Sequence, residues 1–301
     1  MIKDISITLK DFLHFLKSPR DRFTEKISTN DRYRIFTVLF FTILLLNALF
    51  IVPLLGFVHE YIMKIEAAGL LRNFSIGMML FMAVVAAPIL EEILFRLPLK
   101  YERNYVLRVL DKIAGKPVFF NFWKRNFAMI FYLVAILFGF VHSFNYKNEW
   151  NALFLVLLPL IILSQSIGGL FMGYIRLRLG FFWAILFHAC FNFVVITVPY
   201  LLHENIEYIN QKNGDYELRV EGLFCKESSS TTITHQKTVD EKILMIEATN
   251  TDLQTLVELT IGKGHKVLDN ELVHFYFKSE KGLTEQELIN LLKEEFEITE
   301  K

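Results

Sequence analysis

The chain has few of the residues that several common classes of protein need. Its 301 residues include only two cysteines, Cys190 and Cys225, and no CxxC pair, which leaves no basis for a disulfide framework or a thiolate zinc site. Thirty-two basic residues balance thirty-two acidic ones, so the net charge indicates no particular partner, and we expect no nucleic acid. The first thirty residues lack the compact apolar core of a cleavable signal peptide.

Apolar residues are what the sequence has in excess. They make up 53% of the chain, and the mean hydropathy of +0.37 is too high for an ordinary soluble domain. A bilayer needs about 20 apolar residues of helix, and five apolar runs predict such spans: 34–58, 74–90, 127–141, 152–174 and 181–202. We therefore predict an all-α, polytopic bundle of membrane helices, surrounded by lipid.

Lysine and arginine predict how the spans are oriented. Eight of these residues lie in 1–34 and another eight in 96–125, whereas the loops 59–73 and 143–150 hold only Lys64, Arg72 and Lys147. By the positive-inside rule the N-terminus is in the cytosol and the C-terminal tail is outside. We expect the membrane to be the inner membrane of a bacterium.

The two ends of the chain differ from the apolar middle. An N-terminal segment, 1–33, places several apolar residues roughly on one helical face, which fits either an interfacial helix or a solvated amphipathic one: Ile7, Leu9, Phe12, Leu13 and Leu16. The transmembrane domain is predicted over 34–203. Residues 204–301 are polar and are predicted to form a small soluble α+β domain with an unknown partner.

Local patterns predict the elements of that C-terminal domain. Alternation of apolar and polar residues predicts strands at 216–224, 242–247 and 272–278. Helices are predicted at 251–259 and 284–296, the second opening with Thr284 and Glu287 in a capping-box arrangement. The polar stretch 226–238 is predicted to be a loop.

Ionisable residues within apolar runs are expensive in a bilayer and are candidates for function. Glu92 and Arg96 are four residues apart, so they share a helical face and can form an ion pair. Glu91 is five residues from Arg96, which turns it roughly 140° around the helix. Arg96 would then neutralise the carboxylate of Glu92, and the carboxylate of Glu91 would be free to point away from Arg96. The alternative is a helix end whose charges reach the membrane interface.

Two further clusters have the spacing of one helical turn. Phe138 and His142 share a face at the end of the third run, where His142 is either functional or an interfacial, packed residue. His188 and Asn192 share a face in the fifth run, where the alternative is a hydrogen bond that joins helices. In the fourth run, Gly169 and Gly173 have a GxxxG spacing that favours close helix packing.

The three clusters together suggest hydrolysis. A carboxylate and an imidazole can act together as the general base on a water molecule. A second imidazole and a carboxamide can donate hydrogen bonds to a developing oxyanion. This set of groups fits the attack of water on a carbonyl, without a serine or cysteine nucleophile.

The segments EEILFR, FGFVH and HACFN, in that order on successive predicted helices, resemble the EExxxR, FxxxH and HxxxN motifs of the CPBP family. This family includes the type II CAAX prenyl proteases and the bacterial Abi-type bacteriocin-processing or immunity proteins. The stretch GGLFMGYIRLRLGFFWAILFHACFN is also similar to the usual lead-in to the third motif. The resemblance covers roughly residues 74–200.

This resemblance implies an intramembrane endopeptidase that acts on a membrane-associated peptide or protein. It implies that Glu91 and His142 activate water and that His188 and Asn192 form the oxyanion site. Glu92, Arg96 and Phe138 would be supporting residues. No cofactor is implied, with zinc bound by Glu91, His142 and His188 as a less favoured alternative.

The chain also departs from the family and leaves other functions open. Leu97 follows Arg96 where many members have glycine, and straight spans would hold Glu91 and His142 at different depths. We therefore expect the helix with Glu91 to continue past Arg96 and the third helix to start later than Phe127. The alternatives are a non-catalytic immunity or scaffold protein and a transporter that relays protons through Glu91, His142 and His188.

Overall fold

The computed structural model describes residues 2–23, 27–66, 69, 72–227, 230–268 and 270–300. Within these residues, five helices are long and apolar enough to cross a membrane, as predicted. The helices up to residue 203 are α1 (Ile2–Lys17), α2 (Thr29–Tyr61), α3 (Ile76–Leu99), α4 (Tyr105–Ala114), α5 (Val118–Asn145), α6 (Ala152–Arg178) and α7 (Phe181–His203). The chain divides into two compact units, Met1–Leu70 with Phe81–Val194 and Leu71–Leu80 with Val195–Lys301.

Local signals in the sequence explain where several membrane helices begin and bend. The side chain of Ser28 caps α2 by accepting a hydrogen bond from the amide of Asp31. Helix α2 contains a π-helical turn at Asn47–Ile51, and α5 has non-helical backbone angles at Asn126. Helix α6 is interrupted at Ile162, three residues after Pro159, which has no amide hydrogen to donate.

Helix α3 departs most from regular α-helix. It contains π-helical turns at Phe81–Ala86 and Glu92–Arg96 and ends in a 3₁₀ turn, Leu97–Leu99. The expectation that it continues past Arg96 is confirmed. The expectation that the third membrane helix starts later than Phe127 is wrong, because α5 begins at Val118.

The core of the first unit is rich in phenylalanine and joins α1, α2, α5, α6 and α7. Fully buried members include Leu39, Ile43, Phe131, Phe138 and Phe187. The GxxxG pattern permits close packing as predicted, because a Cβ atom on Gly169 would lie 3.0 Å from the Cα of Ala135.

Helix α1 is part of this core through most of the predicted apolar face. Phe12 is buried and Leu9 and Leu16 pack against the core, whereas Ile7 and Leu13 are exposed. The predicted N-terminal segment also includes residues 24–26, which lie outside the described residues.

The second unit contains an antiparallel five-stranded sheet in the order β1-β2-β6-β4-β3. Its strands and those of a two-stranded sheet, β5-β7, are β1 (Ile206–Lys212), β2 (Tyr216–Leu223), β3 (Thr232–Lys237), β4 (Ile243–Asp252), β5 (His265–Val267), β6 (Leu272–Leu283) and β7 (Ile298–Glu300). Helices α8 (Leu253–Thr260) and α9 (Glu285–Leu292) complete the unit. The α+β class is as predicted.

Three details of this unit correct the prediction. The stretch 226–238 is not all loop, because 232–237 forms β3; residues 228 and 229 lie outside the described residues. Strand β4 runs to Asp252, so residues 251 and 252 of the helix predicted at 251–259 belong to a strand, and the helix begins at Leu253. Helix α9 ends at Leu292 rather than 296, while its capping box of Thr284 and Glu287 is present as predicted.

Candidate active site

Glu92 and Arg96 form a buried ion pair on α3. The Nε atom of Arg96 lies 3.5 Å from Oε1 of Glu92, and the two side chains are 1% and 0% exposed. The turn that carries them is π-helical, which the spacing did not predict, yet residues four apart still meet. Burial of both charges means that neither can be removed alone without leaving the other uncompensated.

Two neighbouring side chains support the guanidinium of Arg96. Its carbon atom lies 3.7 Å from the centroid of the Phe138 ring, within the range of a cation–π contact. Its Nη2 atom lies 3.5 Å from the sulfur of Met172. Phe138, which was predicted to be a supporting residue, therefore contacts the ion pair directly.

Glu91 points to two imidazoles instead of to Arg96. Its Oε2 atom lies 3.6 Å from Nε2 of His188 and 3.9 Å from Nε2 of His142. These separations are longer than a hydrogen bond, and Oε2 is buried with no hydrogen-bond partner among the described residues. The structure thus brings Glu91, His142 and His188 together, which straight spans would have prevented.

The hydrogen bond of His142 determines which of its nitrogens carries the proton. Nδ1 lies 2.7 Å from the carbonyl oxygen of Phe138, and because a carbonyl oxygen only accepts, Nδ1 is the donor. In a neutral ring the lone pair is then on Nε2. This atom is the one that faces Glu91.

His188 is oriented by the second carboxylate of the pair. Its ring is 3% exposed, and Nδ1 donates to Oε1 of Glu92 over 3.1 Å. The Phe138 ring contacts both histidines, with centroid distances of 4.7 Å to His142 and 5.8 Å to His188. Glu92 therefore pairs with Arg96 and also holds the imidazole that contacts Glu91.

Asn192 lies one turn after His188 on α7 but has a different partner. Its side-chain amide donates to the carbonyl oxygen of Ala83 over 2.8 Å. Ala83 belongs to the first π-helical turn of α3. This bond joins α7 to α3 and leaves the second hydrogen of the amide available.

Some supporting residues are absent from the sequence prediction. The buried Arg176 on α6 donates from Nε to the carbonyl oxygen of Arg96 over 3.0 Å, at the point where α3 changes to a 3₁₀ turn. A weak signal for Arg176 exists in the sequence, because this basic residue follows the fourth apolar run, 152–174. Met172 and Ala83 carried no signal, because one acts through its sulfur and the other through its backbone.

A zinc site needs three or more His, Cys, Asp or Glu side chains around one point. Among the described residues no group of three or more His, Cys, Asp or Glu is arranged to hold a metal ion. The expectation of no cofactor and the zinc alternative at Glu91, His142 and His188 both stay predictions.

Comparison with known proteins places part of the chain in a family. The five long apolar helices make the chain an integral membrane protein, and residues 73–194 match the family described as type II CAAX prenyl endopeptidase Rce1-like. This segment belongs to the CPBP/CAAX family of intramembrane proteases, which are peptide hydrolases. No curated protein and no solved structure matches the chain. The cytosolic N-terminus, the bacterial membrane and the domain boundaries stay predictions.

Proposed function

We propose that the protein cleaves a peptide bond of a membrane-associated peptide or protein with water activated by Glu91 and His142. The observation that carries this proposal is that Oε2 of Glu91 and Nε2 of His142 face each other at 3.9 Å. Both atoms accept hydrogen bonds in the ionised carboxylate and the neutral ring. A water molecule that donates one hydrogen to each would turn its lone pairs towards a substrate carbonyl.

The charges around Glu91 support His188 as the group that stabilises the oxyanion. Nδ1 of His188 donates to Glu92, so a donor on Nε2 requires the doubly protonated ring. Two carboxylates and one guanidinium leave one negative charge in a largely buried site, and an imidazolium at His188 would balance it. The free hydrogen of the Asn192 amide is the second proposed donor.

The proposed reaction then has two steps. The oxygen of water bonds to the carbonyl carbon while a water proton passes to Glu91 or His142, and the carbonyl oxygen becomes an oxyanion. The carbon–nitrogen bond breaks as the same proton passes to the leaving amine, and the oxyanion collapses to the carboxyl product. Glu92, Arg96 and Phe138 act as positioning residues, because they hold His188 and His142 rather than the reacting atoms.

Glu91→Gln and His142→Asn provide the test of this mechanism. The full chain in lipid vesicles is incubated with a prenylated peptide that ends in a CAAX sequence, and the membranes of expressing cells are searched for new peptide termini. Loss of a general base lowers such rates by about 10²- to 10⁴-fold, so we expect both variants to lose cleavage while they still accumulate in the membrane.

A matched control separates the site from a general effect of charge. Glu149 is an exposed carboxylate in the loop after α5, and Glu149→Gln should cleave like the unaltered chain. Cleavage at the full rate by a folded Glu91→Gln variant would overturn the proposed mechanism.

A further inference from the structure

Helix α4, Tyr105–Ala114, is a separate element that was absent from the sequence prediction. The side chain of Asn104 caps its start by accepting a hydrogen bond from the amide of Leu107. Gly115 ends it with a φ of +62°, which favours glycine. Five residues separate it from the end of α3 at Leu99 and three from the start of α5 at Val118.

One face of α4 is apolar and exposed. Val106, Val109, Leu110 and Ile113 have the i, i+3, i+4, i+7 spacing of one helical face, and they are 69%, 54%, 37% and 77% exposed. None of the ten residues of this helix is fully buried. A contiguous exposed apolar face of this kind marks a site that contacts lipid or another protein.

The opposite side of α4 is fixed to the first unit. Leu107 packs against the core of that unit. The carboxylate of Asp111 accepts hydrogen bonds from the amides of Phe119 and Phe120 over 2.7 and 3.0 Å and from the hydroxyl of Tyr101. Desolvation and this bond raise the pKa of Tyr101 to about 12, so its proton stays in place at neutral pH. These contacts hold the apolar face outward.

The surroundings of α4 carry positive charge. The stretch 100–116 has five basic residues and two acidic ones: Lys100, Arg103, Arg108, Lys112 and Lys116 against Glu102 and Asp111. Both acids already have partners, because Glu102 pairs with Arg22 and Asp111 caps α5. Arg108 and Lys112 are four residues apart and share a face of α4. This basic face is separate from the apolar face and from the side that contacts the first unit.

We propose that α4 lies in the surface of a membrane that contains anionic lipid, with its apolar face in the acyl region and its basic side chains among the headgroups. The short connections to α3 and α5 favour lipid as the cover. Three residues separate Ala114 from Val118, so their Cα atoms lie at most about 14 Å apart, and α4 cannot move far from the start of the membrane-spanning helix α5. Helices with one apolar and one basic face bind such surfaces.

A pair of neighbouring positions tests where the two faces lie. A nitroxide label is attached to Ile113→Cys on the apolar face or to Lys112→Cys on the basic one, in the full chain with Cys190→Ala and Cys225→Ala. Accessibility to oxygen, which concentrates in lipid, and to a water-soluble nickel complex is measured in vesicles of phosphatidylcholine. We expect the Ile113 label to lie about 5–10 Å below the headgroup boundary and the Lys112 label to contact the nickel complex.

The same labels test the charge of the lipid. Addition of phosphatidylglycerol to the vesicles should deepen the Ile113 label, and Arg108→Gln with Lys112→Gln should abolish that shift. Equal access of the nickel complex to both labels would overturn the proposal, as would an Ile113 label that is shielded from both reagents by a protein partner. An unchanged depth with phosphatidylglycerol would overturn the preference for anionic lipid. None of these outcomes depends on the proposed hydrolysis.

Discussion

Two ion pairs with the same spacing lie in opposite surroundings. Glu92 and Arg96 are four residues apart, 3.5 Å from each other and at most 1% exposed, in the membrane-spanning unit. Lys237 and Glu241 are also four apart and separated by 3.7 Å, but they are 23% and 81% exposed in the C-terminal unit. Water screens the second pair, whereas the first is buried in the protein. We therefore expect burial, rather than distance or spacing, to determine how much each ion pair contributes to stability.

The largest effect is expected at the buried pair. Glu92→Gln keeps the shape of the side chain but leaves the charge of Arg96 without its partner, which typically destabilises a fold by about 3–5 kcal/mol. The free energy of unfolding can be measured in mixed micelles with increasing sodium dodecyl sulfate. The double variant Glu92→Gln with Arg96→Met removes both charges and should recover most of the loss. A loss below about 1 kcal/mol in the single variant would contradict the comparison.

Phe138 should give the next largest effect, because its ring lies over the guanidinium of Arg96. Phe138→Leu keeps an apolar side chain but removes the cation–π contact, which is worth about 2 kcal/mol in a desolvated site. Phe95→Leu is the matched control, since its ring centroid is 5.8 Å from the guanidinium carbon instead of 3.7 Å. Equal losses of unfolding free energy in the two variants would show that ring volume alone matters.

A smaller effect is expected at the start of α9 in the C-terminal unit. Thr284→Ala removes the helix cap and should lower local stability by about 1 kcal/mol, measured by hydrogen exchange of the α9 amides. Thr232→Ala, on an exposed strand, is the control. Hydrogen bonds from the backbone and hydroxyl of Thr284 lower the pKa of Glu287 from 4.5. Stability from a lowered carboxyl pKa is present above pH 4.5 and lost as the pH falls, so the difference between Thr284→Ala and the unaltered chain should shrink in acid and leave the cap bond that the Glu287 amide donates.

The smallest effect is expected at the exposed pair. Glu241→Gln breaks the contact with Lys237, but Lys237 retains Glu285 at 2.9 Å. The stability of the C-terminal unit should change by less than about 0.5 kcal/mol, again by hydrogen exchange. A loss near that of Glu92→Gln would remove the distinction between the two regions.

The same contrast explains which parts of the fold were predictable. Polar residues are rare in apolar runs, so Glu91, His142 and His188 stood out in the sequence and were found together in the structure. In the C-terminal unit polar residues are common, and β1 and β3 were missed because their residues do not alternate clearly. Helix α4 was missed because it is too short to span a bilayer.

The geometry of the site could be predicted only in part. The pairing of Glu92 with Arg96 follows from their spacing, and this prediction is confirmed. The bond from Asn192 to Ala83 and the bond from Arg176 to Arg96 end on carbonyl oxygens. Because every residue has a carbonyl, the choice of acceptor depends on how helices pack, which no local pattern reveals.

The widened turn between Glu92 and Arg96 also bears on how relatives of this chain can be found. A π-helical turn accommodates one residue more than an α-helical turn. Loss of one exposed residue, such as Leu94, would return the turn to α geometry and place the acid and the arginine three apart, where they are still neighbours. A chain one residue shorter at this point would keep the same pair, and a search that fixes their separation along the sequence would pass over it.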